Sequence, residues 1–134
     1  MADGNERTAR DLYQAFTSGD METVDRLMGD DIVWHAPGRA KNSGVRRGKH
    51  ELFAAMGSLA ELTGGTLQAE IHDVLANEDH VVVLQRTLGE REGIGTLDDF
   101  EVAVMHVRDG KVSEVWEHPG DLYAMDAFFK EVAR

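Results

Sequence analysis

The hydrophobic period of this chain changes near residue 66, and this change restricts the fold more than any other feature. Before it, apolar residues recur every three or four positions, as on one face of an amphipathic helix. After it, apolar and polar residues alternate, as in strands that pack on one face. Helices grouped ahead of strands predict an α+β domain. A chain of 134 residues can bury one core, so we expect a single domain over residues 1–134.

Four helices are predicted. The first covers residues 5–17, the second follows an N-cap at Asp20, and the third runs from Lys49 to a Gly-Gly pair. The fourth follows Pro119 and is capped by Asp121. Its apolar residues are Leu122, Met125, Phe128, Phe129 and Val132.

Five strands are predicted, at residues 32–35, 67–72, 81–88, 100–107 and 111–118. The segment 38–48 is polar and rich in glycine, so we expect a loop that borders a pocket. Residues 89–96, GEREGIGT, are expected to form a flexible hairpin loop without a phosphate-binding pattern.

The Asp109-Gly110 pair predicts a hairpin between the last two strands, and two registers are open. A two-residue turn sets Ala103 opposite Trp116. A type I turn with Gly110 in the left-handed region sets Ala103 opposite Val115. The register decides whether Trp116 or Glu117 faces the interior.

Charge and composition exclude several classes of partner. The chain has 25 acidic and 14 basic residues, a net charge of -11, which repels nucleic acids and anionic membranes. It has no cysteine, so disulfides and thiolate chemistry are excluded. The first residues do not resemble a signal or transit peptide, and no apolar run approaches the roughly 18 residues of a spanning helix. We therefore expect a cytoplasmic protein.

Four segments carry a resemblance to a known family. They are YQAFTSGDMETVDRLMGDDIVWHAPG, RRGKHELFAAM, RDGKVSEVWEHPGD and YAMDAFF. Together they resemble the nuclear transport factor 2-like superfamily, in its SnoaL-like branch, which is related to polyketide cyclases and ketosteroid isomerases. The resemblance implies a cystatin-like α+β barrel, in which helices pack on the concave side of a cone-shaped, curved antiparallel sheet. It also implies a hydrophobic pocket and a homodimer joined through the convex face.

The resemblance also suggests where site residues lie. Ketosteroid isomerase relatives place a carboxylate base after the first strand, and VWHAPG sets His35 in that place. The same relatives form an oxyanion hole from a tyrosine on the first helix and a buried acid on a later strand. The nearest positions here are Leu12 and Ala103, so steroid-type isomerisation is not expected.

Three residues are candidates for catalysis. His35 can exchange protons near neutral pH, although a histidine tied to backbone or water at a strand end fits the same pattern. In the bulged register Glu117 faces the pocket, where burial would make it an acid; otherwise it is solvated. Asp121 lies at the pocket mouth or is simply the helix cap. Trp34 alternates with His35 and is expected on the opposite face.

The remaining site predictions concern the pocket wall. Arg86 lines the pocket if it shares the inward face with Leu84, and points to solvent otherwise. No His and acid pair has metal-site spacing, so neither a metal nor a cofactor is expected. The residues expected to line the pocket are Tyr13, Phe16, Phe53, Met56, Leu59, Leu84, Arg86, Ala103 and Val115.

Three functions are compatible with these features. The first is a small cofactor-independent enzyme that performs acid/base chemistry of the isomerase, cyclase or lyase type on an apolar, carbonyl-containing molecule. The second is a binding module that holds a hydrophobic metabolite without turnover. The third is an interaction domain that dimerises through its convex sheet. The sequence does not identify the substrate.

Overall fold

The computed structural model describes residues 2–131, which form four helices and one six-stranded sheet. The helices are α1 (Ala2–Ser18), α2 (Met21–Leu27), α3 (Gly48–Leu62) and α4 (Leu122–Phe129). The strands are β1 (Met28–Ala36), β2 (Gly44–Arg47), β3 (Gln68–Ala76), β4 (His80–Arg91), β5 (Gly95–Arg108) and β6 (Lys111–Pro119). Val132, which was predicted in the last helix, lies outside the described residues.

The strand order is β2-β1-β6-β5-β4-β3. Four neighbouring pairs are antiparallel, as the prediction required, but β1 and β6 run parallel. These two strands are separated by most of the chain, so no tight turn forces them to run in opposite directions. The α+β class is confirmed, and the sheet is a curved, mixed one.

The two faces of the sheet have different environments. One face, here called the inner face, carries buried residues such as Ile32, Met105 and Val115 and packs against the helices. Helix α1 crosses β3 and β4, α3 packs on β1 and β2, and α4 packs on β5. The opposite face, here called the outer face, carries no helix among the residues described. A ligand pocket between helices and sheet must therefore lie on the inner face.

The β5–β6 hairpin has a register that neither prediction gave. Asp109 and Gly110 both have positive φ, 54° and 75°, which is the two-residue turn that fits the twist of a hairpin. An irregularity then leaves Ser113 unpaired, so that Ala103 lies opposite Glu117. The bulge therefore places Glu117 on the inner face, as the bulged alternative required, although by a different route.

Two segments predicted as loops are ordered differently. Residues 44–47 form the short edge strand β2, because their backbone pairs with the free side of β1. Residues 89–91 and 95–96 extend the β4–β5 hairpin, which leaves only a short turn. Arg91 anchors this end, since its Nη1 donates to the carbonyl oxygens of Phe128 at 2.6 Å and Lys130 at 2.9 Å. The prediction of a flexible loop at 89–96 is wrong.

Candidate active site

A group of polar side chains interrupts the apolar inner face where β4, β5 and β6 lie side by side. It is called here the inner polar cluster, and its members are Tyr13, Gln85, Thr87, Glu101 and Glu117. The strand alternation that buries Val81 and Val83 also directs Gln85 and Thr87 inward. Glu101 lies directly opposite Gln85 on β5. The cluster therefore follows from the strand register.

Hydrogen bonds link four members of the cluster in one direction. The Tyr13 hydroxyl donates to Gln85 Oε1. Gln85 Nε2 donates to Thr87 Oγ1 at 3.0 Å and to Glu101 Oε1 at 3.3 Å. Thr87 Oγ1 donates to Glu101 Oε1 at 3.0 Å. The chain of donors thus starts at the α1 phenol and ends on one oxygen of Glu101.

Glu117 is the second carboxyl of the cluster. It lies opposite Ala103, whereas Glu101 lies opposite Pro119. The two glutamates are therefore diagonal neighbours on adjacent antiparallel strands, with Cα atoms about 7–8 Å apart as is usual for such pairs. The Trp34 side chain lies beside Glu117 and favours its ionised form. The two carboxyl groups thus share one side of the sheet.

Burial changes the ionisation of this pair. It raises the pKa of Glu101 from 4.5 to about 7, against the opposing effect of the Thr87 hydrogen bond. It raises the pKa of Glu117 from 4.5 to about 8, with further repulsion from Glu101. Burial also raises the pKa of Tyr13 far above its ordinary value. At neutral pH the pair retains protons that an exposed glutamate has lost, and Tyr13 remains a donor.

Glu101 retains one oxygen that is free to react. Oε2 of Glu101 has no hydrogen-bond partner among residues 2–131. Among residues 2–131, Oδ1 of Asn42 is the only side-chain N or O atom that is both buried and without a partner. Since Oε2 of Glu101 also has no partner, it is not fully buried and borders open space. The residue as a whole is 4% exposed, so only a small part of its side chain is accessible.

Two clefts reach members of the cluster from the surface. A cleft of about 390 Å³ lies between α1 and β3, and Tyr13 is part of its lining. A second cleft, of about 350 Å³, lies where β1, β2 and β6 end, and Glu117 is part of its lining together with His35 and Trp116. Both ends of the polar cluster are thus accessible to small molecules or water.

Helix α3 provides an incompletely packed apolar wall. Leu52 is its one buried apolar residue, whereas Phe53, Met56 and Leu59 are half-buried against the core. The half-buried Phe16 of α1 packs beside the same core. These residues lie on the helix side of the sheet, as a pocket wall requires. Their contact with a ligand stays a prediction.

The prediction that His35 lies on the inner face is wrong, although the residue lines the second cleft together with Glu117. Ile32 is fully buried on β1, so the alternation directs Trp34 inward and His35 outward, the reverse of what was expected. His35 Nε2 lies 2.6 Å from Oε2 of Glu114 and the ring stacks on Trp116, with centroids 5.2 Å apart. His35 therefore belongs to the outer face.

The prediction that Leu84 and Arg86 line the pocket is also wrong. The buried Val81 and Val83 fix the alternation of β4, so the residues between and after them point to the outer face. Arg86 forms an ion pair there with Asp98, with Nη2 to Oδ2 at 2.7 Å. Ala103 and Val115, in contrast, are buried on the inner face as predicted.

Asp121 acts as a helix cap. Its carboxylate accepts a hydrogen bond from the Ala124 N–H at 3.0 Å, which confirms the predicted cap of α4. The buried Asp99 accepts from the N–H groups of Gly120 and Asp121, both at 3.0 Å, and so fixes the start of the helix. The structure gives Asp121 no contact with the inner polar cluster, and its catalytic role stays a prediction without support.

Several members of the cluster were missed in the sequence. Gln85, Thr87 and Glu101 were not among the candidates, although they continue the alternation of the buried valines of β4 and of Ala103. The resemblance also pointed to Leu12 as the first-helix position, whereas Tyr13 supplies the hydroxyl. A tyrosine and a buried acid, Tyr13 and Glu101, therefore lie close to the two positions that the resemblance indicated.

Two further observations limit the kinds of site. Among residues 2–131, no three or more His, Asp or Glu side chains are grouped so that they could hold a metal ion. Within the same residues, no helix has the length and apolar character needed to cross a membrane.

Comparisons with known proteins agree with this architecture. The profile of the SnoaL-like domain matches residues 9–115. Bal32a, from a soil-derived mobile gene cassette, is 38% identical, with a TM-score of 0.92 over 96% of this chain and 98% of that one. A protein of unknown function from Xanthomonas campestris, with a cystatin-like fold, is 28% identical, with a TM-score of 0.89 over 95% and 98%.

A more distant structure has a stated activity class. IdmH of Streptomyces antibioticus, provisionally assigned as a polyketide cyclase, is 20% identical, with a TM-score of 0.75 over 92% of this chain and 96% of that one. This likeness shows the fold alone. The profile match covers most of the chain, and the chain therefore belongs to the SnoaL-like domain family.

Proposed function

We propose that this protein is a small, cofactor-independent enzyme that transfers protons on an apolar molecule containing a carbonyl group. The observation that carries the proposal is the pair of glutamates on the inner face, of which Glu101 is buried and Glu117 is half-buried beside the second cleft. Proton transfer is most efficient when the pKa of the catalytic group lies near the working pH, and burial moves both carboxyl groups toward neutrality.

The pair is suited to enolisation, the step shared by many isomerases, cyclases and lyases. One carboxylate accepts the proton next to a carbonyl group, while the other carboxyl group, still protonated, donates a hydrogen bond to the carbonyl oxygen. Because the two groups interact, loss of one proton makes loss of the second less favourable. The pair therefore offers a base and an acid at the same pH.

Ligand binding without turnover explains this arrangement less well. An apolar ligand needs an apolar wall, but it does not need two carboxyl groups placed where burial disfavours their ionisation. The provisional assignment of IdmH as a polyketide cyclase agrees with the same class of chemistry. We therefore prefer an isomerase, cyclase or lyase to a binding module, with Glu101 and Glu117 as its acid and base in place of His35.

Hydrogen exchange on a simple ketone tests the proposal. The probe is 2-tetralone, an apolar bicyclic ketone with acidic protons next to its carbonyl group, followed by ¹H NMR in D₂O. We expect wild-type protein to accelerate loss of the α-proton signals, and the Glu101→Gln/Glu117→Gln double variant to lose about 10²-fold or more of that acceleration. Equal rates for the two proteins, both folded by circular dichroism, would overturn the proposal.

We also propose that two copies associate through the outer face. Leu75 is 53% exposed there and Phe100 48%, and the half-buried Val104 and Trp116 lie in the same cross-strand row as Leu75. Exposed apolar surface of this kind on a sheet typically marks a protein interface. A second copy offers the same surface in a two-fold arrangement, which makes the interface self-complementary.

A further inference from the structure

We propose that Gln85 is a positioning residue that leaves Oε2 of Glu101 as the oxygen that exchanges protons with the substrate. This inference rests on the proposed function, because it assigns the reacting atom of one catalytic carboxyl. It depends on the directions of the hydrogen bonds within the inner polar cluster.

Tyr13 fixes the orientation of the Gln85 amide. Gln85 Oε1 can only accept a hydrogen bond, so the phenol must be the donor. A reversed amide would set the NH₂ group against the phenol and direct the amide oxygen at the Glu101 carboxylate. The observed orientation instead directs both Gln85 donors toward Thr87 and Glu101. Tyr13 thus acts on Glu101 through Gln85.

The amide in turn determines which oxygen of Glu101 stays unprotonated. Oε1 accepts from Gln85 Nε2 and from the Thr87 hydroxyl. A proton on Oε1 would face these two donors and would displace at least one of their hydrogen bonds, whereas a proton on Oε2 meets no donor among residues 2–131. The proton of the acid form therefore resides on Oε2.

Oε2 is also the oxygen that a substrate can reach. It has no hydrogen-bond partner among residues 2–131, and it is not fully buried. In the proposed step, the C–H bond next to the carbonyl group breaks and its proton moves to Oε2. The electron pair forms the C=C bond of the enolate, and the carbonyl oxygen takes a hydrogen bond from protonated Glu117. If the substrate is a β,γ-unsaturated carbonyl compound, the enolate is a dienolate, and return of the proton from Oε2 to its γ-carbon completes an isomerisation.

A titration of the glutamate side chains tests this positioning role without a substrate. The protein is labelled with ¹³C at the glutamate side-chain carboxyl carbons, and the signals are assigned with Glu101→Gln and Glu117→Gln. Gln85→Leu removes a donor that stabilises ionised Glu101, so we expect the Glu101 midpoint to rise by about one to two pH units. Because Glu101 then stays neutral to higher pH, we expect the Glu117 midpoint to fall.

Opposite shifts are the result that supports the inference. If Gln85 had a merely structural role, its replacement would open the site to water, and both midpoints would fall toward the ordinary value. That result, or unchanged midpoints, would overturn the inference. If Gln85→Leu does not fold, Tyr13→Phe is the substitute, because it removes the hydrogen bond that orients the Gln85 amide. The same opposite shifts are then expected, with a smaller magnitude. Arg86→Gln, the neighbouring residue on the outer face, is the matched control and should leave both midpoints unchanged.

The titration and the ketone exchange have separate outcomes. Opposite shifts with no exchange of 2-tetralone would retain the role of Gln85 and reject the proposed function. Rapid exchange with both midpoints falling would retain the function and reject the positioning role.

Discussion

Glu101 and Glu117 lie diagonally across two antiparallel strands, and neither forms an ion pair with a basic side chain within residues 2–131. Two carboxylates that are largely removed from water and have no cation beside them would be costly, so protons neutralise them instead. Most acidic residues of this chain face water and counterions. This pair is different because its charge changes with pH in the range close to neutrality.

The stability of the protein should depend on the ionisation of Glu117. Its pKa is raised in the folded state, so the folded protein binds the proton more tightly than the unfolded chain. The contribution to stability is complete below the unfolded pKa, near 4.5, and is lost as pH rises through the folded pKa of about 8. Glu117→Gln cannot ionise, so we expect it to become more stable relative to wild type as pH rises.

Thermal melting from pH 5 to pH 9 measures this difference. We expect the melting temperature of Glu117→Gln, minus that of wild type, to increase across the range, by an amount that corresponds to on the order of 2 kcal/mol. Glu92→Gln, in the exposed β4–β5 turn, is the matched control and should follow the wild-type curve. A difference that does not change with pH would show that Glu117 is ionised normally.

The two adjacent residues Asp98 and Asp99 should contribute differently to stability. Asp99 is buried and accepts from the N–H groups of Gly120 and Asp121, so Asp99→Ala leaves two backbone donors without their partner. We expect a loss of about 1–3 kcal/mol in urea unfolding. Asp98→Ala removes only an exposed pair with Arg86, and we expect a change of less than about 1 kcal/mol. Equal losses would contradict the assigned anchoring of α4.

The outer face should control association. A charge at Trp116 would be buried against the second copy, so we expect Trp116→Glu to convert a dimer into a monomer in sedimentation velocity. Tyr123→Glu places the same charge on a side chain of α4 that is 90% exposed, and it should leave the dimer intact. A monomeric wild type, or a dimeric Trp116→Glu variant, would reject this interface.

Substitutions of the neighbouring β1 residues Trp34 and His35 should differ in their effect on catalysis. Trp34 points inward beside Glu117, whereas His35 points outward to Glu114. We expect Trp34→Phe, which removes the indole N–H beside the carboxyl, to slow the exchange of 2-tetralone severalfold. His35→Ala should retain the wild-type rate within about twofold. The reverse result would return the catalytic role to the histidine.

The sequence was sufficient for the order of the four helices and of five strands, but not for the edge strand β2 or for the faces of every strand. Periodicity located the helices and both side-chain caps, Asp20 and Asp121, because capping is a local interaction. The faces of β4 and β1 were not decided by alternation, because residues 81–84 and 32–34 are apolar at every position. The burial of Val81, Val83 and Ile32 in the structure is what places Gln85 and Thr87 inward and His35 outward.

Other features depend on contacts between distant segments and could not be predicted. The bulge at Ser113 shifts the β5–β6 register, and only the fold shows that it sets Glu117 against Ala103. The parallel pairing of β1 with β6 joins segments separated by most of the chain. The bond between Tyr13 and Gln85 spans 72 residues and depends on where α1 crosses the sheet.

Direct titration of Glu101 and Glu117 in the wild-type protein tests the central claim. With ¹³C-labelled glutamate carboxyl groups, we expect two signals that stay protonated well above pH 5.5, with midpoints near 7 and 8. One of these signals should be absent from Glu101→Gln and the other from Glu117→Gln. If every glutamate signal titrates near the ordinary value of about 4.5, the two carboxyl groups are solvated as ordinary surface acids are, and the proposed acid/base pair does not exist.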